Sequence, residues 1–412
     1  MKQIQPKKLF YTSCLSLIVT AMTFAIRAEI MPLWGSDFTL SNEQLGLIAG
    51  TAFWGFTLAQ IIGGPLIDIV GMKKILYIAF FGHILGVIVT VTAVSFWPLF
   101  LGTLLIGIAN GSVEAACNPL VATIYSGEKT KMLNRFHMWF PGGIAIGGLI
   151  SYYMVEELHL GWQWLVGILL IPTILYGILF SSLKFPATER VASGVSYSDM
   201  LKACVGPLFI FMVLCMFLTA ATELGTGQWI TALLSQVGVS AILLLVFING
   251  IMAIGRLFAG PVVHRLNPAG MLLFSAIFAT IGLYWLSTAT GYVTFAAAFV
   301  FAIGVCYFWP TLLGFVSEYI PKTGAIGLNI MGGAGMLSVS VILPFMGGWY
   351  DNNKAKALQA GADAAAAELQ AGRDTLTTVM IMPAILIVAF TILYFSIRNK
   401  GKVNLHTEAQ TA

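Results

Sequence analysis

Charged residues are scarce in this chain: of its 412 residues only 9% are Asp, Glu, Lys or Arg, whereas 58% are hydrophobic. So little charge excludes a soluble globular protein, because too few polar side chains are present to cover a surface in water. The net charge of +4 gives no reason to expect a nucleic-acid partner. We expect the protein to be surrounded by lipid.

Cysteine is also rare, and sequence motifs of catalysis are missing. None of the five cysteines lies in a CxxC pair or near a histidine cluster, which excludes a disulfide framework and predicts no metal site. The chain contains no GxxxxGK[ST] phosphate loop, no nucleophile elbow and no HExxH pair. We therefore expect neither an enzyme nor a cofactor, and energy from an ion gradient instead of ATP.

Long apolar runs are abundant, and each is close to the roughly 20 residues that cross a bilayer as a helix. They predict an all-α membrane protein with twelve spans. The predicted spans are 10–34, 44–67, 74–96, 98–126, 134–155, 162–182, 203–234, 238–263, 268–288, 291–317, 325–348 and 375–397.

The basic residues lie mostly on one side of these spans, a bias typical of cytoplasmic loops. It predicts a multi-pass protein of the cell (inner) membrane with both termini in the cytoplasm. Three basic residues fall on the outer side (Lys354, Lys356 and Arg373), and Arg27 lies within a span. The predicted inner set is Lys2, Lys7, Lys8, Lys73, Lys74, Lys129, Lys131, Arg135, Lys184, Arg190, Lys202, Arg256, Arg265, Lys322, Arg398, Lys400 and Lys402.

An internal repeat divides the chain. The Gly-Pro pair at 64–65 recurs at 260–261, and the Leu-Asn pair at 133–134 recurs at 328–329. The repeat predicts two similar six-helix bundles, 1–183 and 200–412, joined by a cytoplasmic linker at 184–199. The segment near 352–372, on the outer side, is expected to form a surface helix or to serve as a solvated spacer.

Residues 64–74, GPLIDIVGMKK, resemble the loop signature G-x-L-x-D-x-x-G-x-K/R-K of the major facilitator superfamily. In this interpretation Gly64 and Gly71 permit a tight turn, Asp68 caps a helix or meets an arginine, and Lys73 and Lys74 anchor the loop at anionic headgroups. The resemblance implies an inner gate and a transporter fold. In the second half His264 takes the place of the aspartate and is flanked by the candidate gate residues Arg256 and Arg265.

Four ionisable residues lie inside spans: Arg27, Glu29, Glu114 and Glu223. Such residues cost roughly 2.5 to 3.5 kcal/mol at a helix centre and are functional candidates for that reason. Glu114 lies among small residues that give it room to face a cavity. It could carry a proton through the transport cycle or form a fixed ion pair with Arg27.

Two polar residues, one in the fourth span and one in the fifth, are further candidates. Asn118 lies one turn further along the same helix face, where it could bind a hydroxyl-rich ligand or a backbone carbonyl freed by Pro119. His137 could face a ligand, respond to pH in a gate, or be satisfied by a backbone carbonyl.

The segment VEAACNP at 113–119 is similar to a motif of the fucose/glucose/galactose–proton symporter family. Further similarities lie at 133–137 (LNRFH), 222–229 (TELGTGQW) and 308–311 (FWPT). The resemblance implies a monosaccharide cargo. Sugar recognition needs flat apolar faces and planar amides. Trp54, Trp139, Trp229 and Trp309 are candidates for the faces, unless they only pack or lie in an interfacial belt, and the candidate amides are Asn118, Gln228, Asn249, Asn329 and Gln60.

These features together predict a monomeric transporter that imports a sugar with protons. In this hypothesis protonation of Glu114 releases Arg27 and lets the loaded carrier close, with Glu29 assisting. The main alternative makes Arg27 a clamp for the carboxylate of an organic anion such as a sugar acid. A non-translocating nutrient sensor and a multidrug exporter are further alternatives.

Overall fold

The computed structural model describes residues 3–233 and 241–397. The predicted inner residues Lys2, Arg398, Lys400 and Lys402 lie outside the described residues, as do the two chain ends. Throughout the described ranges the regular structure is helical, with no strand. The all-α prediction is therefore confirmed.

Eight helices form the first half of the chain. A π-helical turn, Tyr153–Glu157, follows α6. The helices are α1 Pro6–Asp37, α2 Asn42–Val70, α3 Met72–Val91, α4 Phe96–Ile124, α5 Lys129–His137, α6 Trp139–Tyr152, α7 Trp162–Gly167 and α8 Leu170–Ser182. Two short helices follow in the predicted linker and just after it, α9 Glu189–Ser193 and α10 Tyr197–Cys204.

The second half is built in the same way. A π-helical turn at Ala221–Gly225 joins α11 to α12, and a 3-10 turn at Pro321–Thr323 precedes α17. The helices are α11 Pro207–Ala220, α12 Thr226–Leu233, α13 Ala241–Leu257, α14 Ala259–Leu286, α15 Val293–Val305, α16 Phe308–Tyr319, α17 Gly324–Gln359, α18 Ala364–Val379 and α19 Ile381–Ile397.

Eleven helical stretches in the described chain are long and apolar enough to cross a membrane, and a shorter apolar helix, Leu244–Leu257, falls on the predicted eighth span. The protein is therefore a multi-pass membrane protein. The predicted boundary between spans 8 and 9 coincides with Asn267, whose φ of 55° and ψ of 170° break α14 into two helices. The division into bundles 1–183 and 200–412 stays a prediction.

Two predicted boundaries were wrong. Span 5 begins at Lys129, not at 134, because its first turns are polar and hide the helix from a search for apolar runs. The segment near 352–372 is not a separate surface helix: α17 continues to Gln359, and α18 begins after a turn. In that turn Gly361 has a φ of +93°, and Asp363 caps α18 by accepting the N–H of Ala366 at 2.8 Å.

Within each half, glycines bring helices into direct backbone contact. A Cβ on Gly107 or Gly111 of α4 would lie 2.4 Å from a backbone oxygen of α2, and one on Gly304 of α15 would lie 2.1 Å from the backbone of α14. No other residue fits there without moving a helix, and such close contacts are typical of helices packed in lipid.

The two halves of the chain meet along two kinds of contact. We name the side of the molecule that carries residues 184–199 the linker side and the opposite side the far side. Toward the linker side Gly64 of α2 lies against Asn329 of α17, where a Cβ would be 2.9 Å from the Asn329 Cβ. Between α6 and α13 the spacing is wider: a Cβ added to Gly142 or Gly148 would lie 3.8 Å from its nearest neighbour.

Candidate functional site

A buried polar chain runs from α4 to α5 at the centre of the molecule. Glu114 and Asn118 share one face of α4, where the Asn118 amide donates to Glu114 Oε2 at 3.3 Å. Asn118 Oδ1 lies 2.9 Å from His137 Nε2. All three side chains are 1% exposed, so they are shielded from bulk water.

A buried ion pair in the second half lies next to this chain. Arg256 Nη2 of α13 donates to Glu223 Oε1 at 2.7 Å. Its other nitrogens donate to the carbonyl of Cys306 at 2.6 Å and to that of His137 at 3.1 Å. Arg256 therefore connects the second half to α5 of the first half.

The two groups face one small space. Glu114, His137, Glu223, Arg256 and Trp309 all line a cavity of about 10 Å³. We name Glu114, Glu223 and Arg256 the central charge cluster. With all three ionised, two carboxylates share one guanidinium, so the cluster carries one negative charge in excess. Binding one proton makes the cluster neutral. A proton is therefore favoured there, because uncompensated charge is costly away from water.

A larger cavity of about 200 Å³ lies directly on the far side of the cluster. Phe140, Glu223 and Leu224 line both cavities. The wall of the larger one is mostly apolar, and its polar side chains are two carboxylates and two amides: Glu29, Glu223, Gln228 and Asn249. Gln228 is exposed, so the cavity is reached from the far side.

On the linker side the two halves are sealed by hydrogen bonds between α5 and α16. Lys129 Nζ donates to the Ser317 carbonyl at 2.9 Å and pairs with Glu189 at 2.6 Å. The Thr130 N–H donates to Glu318 Oε1 at 3.0 Å. We name Lys129, Thr130, Glu189, Ser317 and Glu318 the linker-side seal.

Gly314→Ala is expected to weaken this seal. The added Cβ would lie 2.4 Å from Thr130 Oγ1 and 2.6 Å from its Cα, and such overpacking costs about 1 to 3 kcal/mol. The unfolding temperature of the purified protein should fall. Gly127→Ala is the matched control, because no atom lies within 4 Å of its added Cβ. Equal unfolding temperatures for the two variants would contradict the tight α5–α16 contact.

The structure agrees with only part of what was predicted for the loop signature at 64–74. Gly71 has a φ of +88° and makes the turn between α2 and α3. Asp68 accepts a hydrogen bond from the Thr188 hydroxyl, which caps α9 of the linker. The expectation for Lys73 was wrong: it donates to the carbonyls of Ser181 and Leu183, at 2.8 and 2.9 Å, at the end of α8.

Gly64 does not serve the turn either, because it lies within α2 against α17. Lys74 is exposed. Arg265 is exposed at the linker-side end of α14, where a gate residue is expected. Arg256 is buried. The predicted gate position of Arg256 is corrected: the residue is 1% exposed and belongs to the central charge cluster.

Arg27 does not contact Glu114 in the structure. Its guanidinium lies over the rings of Phe24 and Phe53, at 5.1 and 6.0 Å from their centroids, and lines a separate small cavity inside the first half. The predicted release of Arg27 by Glu114 is therefore corrected, because Arg256 is the cation that shares a cavity with Glu114. Glu29 lines the larger cavity.

The other sugar-site candidates are dispersed. Trp309 lines the small cavity and packs against Gly335. Trp54 is 47% exposed, Trp139 packs against the core, and neither lines the larger cavity. Gln60 and Asn329 lie between α2, α4 and α17, where Asn329 donates to the Ala115 carbonyl at 3.3 Å. The side chain of Trp229 lies outside the described residues.

Asn249 lines the larger cavity, but its amide also donates to the Leu245 carbonyl at 2.9 Å.

Sequence reasoning missed two buried networks. The pairing of Lys129 with Glu189 has no local signal, since the residues are 60 positions apart. His83 joins Asn110 at 2.8 Å and the Tyr176 hydroxyl at 2.9 Å inside the first half. Both nitrogens of a neutral imidazole are thereby satisfied, so this histidine supports packing. A histidine within an apolar run was the available signal.

Comparisons with known proteins agree with this architecture. The family model described as Major Facilitator Superfamily matches residues 13–342. A human protein named putative transporter SVOPL is 28% identical over 180 residues, which are 43% of this chain and 36% of that protein. A D-xylose transporter of Levilactobacillus brevis is 24% identical over 155 residues, 37% of this chain and 33% of that protein. The chain thus spans about a third of the length of these relatives.

Solved structures share the fold over nearly the whole chain. FucP, a fucose:proton symporter of E. coli in its outward conformation, has a TM-score of 0.69 at 18% identity and covers 92% of this chain and 98% of its own. The proton:xylose symporter XylE has a TM-score of 0.75 at 16% identity and covers 97% of each chain. The human organic anion transporter MFSD10 has a TM-score of 0.70 at 14% identity and covers 94% of this chain and all of its own. The chain therefore belongs to the major facilitator superfamily, a family of membrane transporters and not of enzymes.

Proposed function

We propose that this transporter is a proton-coupled symporter that imports a monosaccharide by alternating access, with Glu114 as the proton carrier. The linker side is then cytoplasmic, the protein lies in the cell (inner) membrane with both termini inside, and it acts as a monomer. The proton gradient supplies the energy, and no cofactor takes part.

The proposal depends on the composition of the central charge cluster, in which two carboxyl groups accompany one guanidinium. Glu223 is held by Arg256 at 2.7 Å, whereas the Glu114 carboxylate meets the neutral Asn118 amide at 3.3 Å. Glu114 is therefore the carboxyl on which a proton removes uncompensated charge. A proton that enters from the larger cavity reaches this carboxyl on its way to the linker side.

The lining of the larger cavity favours a neutral cargo. Its ionisable side chains are the carboxylates Glu29 and Glu223, and within the part of the chain that the structure describes no basic residue lines it. An anion would therefore find no cation in this wall to pair with, whereas the amides of Gln228 and Asn249 and the ring of Phe140 suit the hydroxyls and C–H faces of a sugar. The sugar transporters among the similar proteins support this choice.

An organic anion remains the second candidate because a gallate transporter of Pseudomonas putida and MFSD10 are similar proteins. Arg27, the proposed clamp for its carboxylate, does not line the larger cavity: its guanidinium lies over the ring of Phe24, which does, and it lines a separate small cavity. Arg256, whose partner Glu223 lines the larger cavity, is already paired with that carboxylate.

A radiolabelled uptake panel tests the proposal. Proteoliposomes holding the purified full chain are offered hexoses, pentoses, hexuronates and aldonates, with an inward proton gradient and with or without a protonophore. We expect a neutral monosaccharide to accumulate, and the protonophore to abolish accumulation while counterflow persists. Accumulation of sugar acids alone would favour the organic anion, and binding without counterflow would favour a sensor.

A further inference from the structure

A second cavity, distinct from the central one, lies on the outer surface of the second half. It has a volume of about 550 Å³ and runs between α13, α14 and α15. We name it the lateral groove. Its walls include Ile254, Val262, Leu266, Phe299 and Ile303, and Arg265 is the charged residue that lines it.

The lateral groove faces the hydrocarbon region. Ile254 is 58% exposed and Phe299 43% exposed, and Phe258, beside the groove on the same surface, is 61% exposed. All three belong to the membrane-spanning part of the second half, so the molecules around them are lipid chains. A flexible acyl chain is the occupant that fills an apolar groove in this setting, because an unfilled void forfeits van der Waals contacts.

The charge at one end of the groove selects the headgroup. Arg265 lies in the last turn before the break at Asn267, on the linker side, where headgroups begin. Within residues 3–233 and 241–397 it has no ion-pair or hydrogen-bond partner, whereas the nearby Lys131 is paired with Glu128 at 2.8 Å. An unpaired guanidinium beside an apolar groove complements a lipid with an anionic headgroup.

The groove is also the back wall of the central charge cluster. Gly255 lines the groove and precedes Arg256, and Cys306, which lines the groove too, accepts a hydrogen bond from Arg256 Nε at 2.6 Å. The Tyr307 hydroxyl closes the wall by donating to the Gly255 carbonyl at 3.0 Å. A molecule in the groove therefore packs against the backbone that positions Arg256.

The geometry points to a binding site for an anionic phospholipid, with an acyl chain in the lateral groove and the headgroup phosphate on Arg265. This inference does not depend on the cargo or on proton coupling. The site lies on the surface of the second half, and α13 and α15 separate it from the cavity proposed for the sugar.

The test uses full-length protein that has been purified in detergent and stripped of lipid. Its unfolding temperature is measured during titration with phosphatidylglycerol, with phosphatidylcholine of the same chains, and with inorganic phosphate. We expect phosphatidylglycerol to raise the temperature most, and phosphate alone to leave it unchanged. Equal shifts with the two lipids, or a shift with phosphate alone, would overturn the proposal.

Two variants separate the headgroup from the chain. Arg265→Gln should weaken phosphatidylglycerol binding about fivefold and remove its advantage over phosphatidylcholine, whereas Lys356→Gln, which removes an exposed cation in the last turn of α17 on the far side, should not. Val262→Trp fills the groove and should abolish both lipid shifts, whereas Ile281→Trp, on an exposed part of α14 outside the groove, should keep them.

A lipid preference that survives Arg265→Gln, or that Ile281→Trp removes, would contradict the assignment. If Val262→Trp does not fold, native mass spectrometry of the Arg265→Gln variant still decides the matter, because the retained phosphatidylglycerol should be lost. If the protein instead forms a stable dimer and added lipid does not change its unfolding temperature, the groove binds a second copy of the chain and the lipid proposal is overturned.

Discussion

Replacing Glu114 with Gln is expected to abolish proton-driven accumulation while exchange of the cargo persists. The amide keeps the size of the carboxyl and its hydrogen bond to Asn118, but it cannot ionise. The central charge cluster then stays neutral in every state, so a proton gradient no longer drives the cycle. With one proton for each sugar, each pH unit supports about a tenfold concentration ratio, and the variant should reach a ratio of about one.

The measurement compares uphill uptake with counterflow in the same proteoliposomes. Glu43→Gln is the matched control, since it removes an exposed carboxylate from the first turn of α2, far along the chain from the cluster. It should accumulate cargo like the unmodified protein. Uphill uptake by the Glu114→Gln variant that a protonophore abolishes would refute the assignment of Glu114.

Replacing Arg256 with Met is expected to have the largest effect on stability. The change leaves Glu223 buried without its cation, and breaking a buried ion pair in this way costs about 3 to 5 kcal/mol. The carbonyls of His137 and Cys306 also lose their donor. The purified variant should unfold at a clearly lower temperature and should not transport.

A double variant isolates the ion pair. Glu223→Gln added to Arg256→Met removes both charges, so most of the lost stability should return, although the two carbonyls still lack a donor. Arg265→Met, measured without added lipid, is the control because it removes an exposed arginine nearby in the sequence. The Glu223→Gln variant is measured alone as well. If the losses of stability in Arg256→Met and in Glu223→Gln simply add up to the loss in the double variant, Arg256 and Glu223 are not coupled.

The sequence was sufficient for the fold because apolar length alone determines which segments cross a bilayer. It also placed Asn118 correctly beside Glu114, one helical turn along the same helix, but it did not predict that His137 contacts Asn118. It could not locate Arg256, because a position near a loop does not reveal whether a helix continues and which face it buries. The helix that carries Arg256 directs its side chain inward, to Glu223, which lies 33 positions earlier in the chain.

Arg27 shows a different limit of sequence reasoning. A cation inside a span must find compensation, and we expected a carboxylate. Phe24 lies three residues earlier on the same helix face and supplies an aromatic ring instead, a contact that helical spacing could have predicted. The role of Lys129 in the linker-side seal could not be predicted from the sequence, because its partners Glu189 and Ser317 lie 60 and 188 positions away.

The glycine contacts determine where the molecule can deform. Where α4 meets α2 and α15 meets α14, backbones touch so closely that neither helix can slide past the other without collision. Between α6 and α13 even a Cβ added to Gly142 or Gly148 would meet its neighbour only at 3.8 Å, an ordinary van der Waals distance, so these two helices are less tightly interlocked. A change of shape therefore leaves the interior of each half rigid and concentrates its strain along the α6–α13 seam.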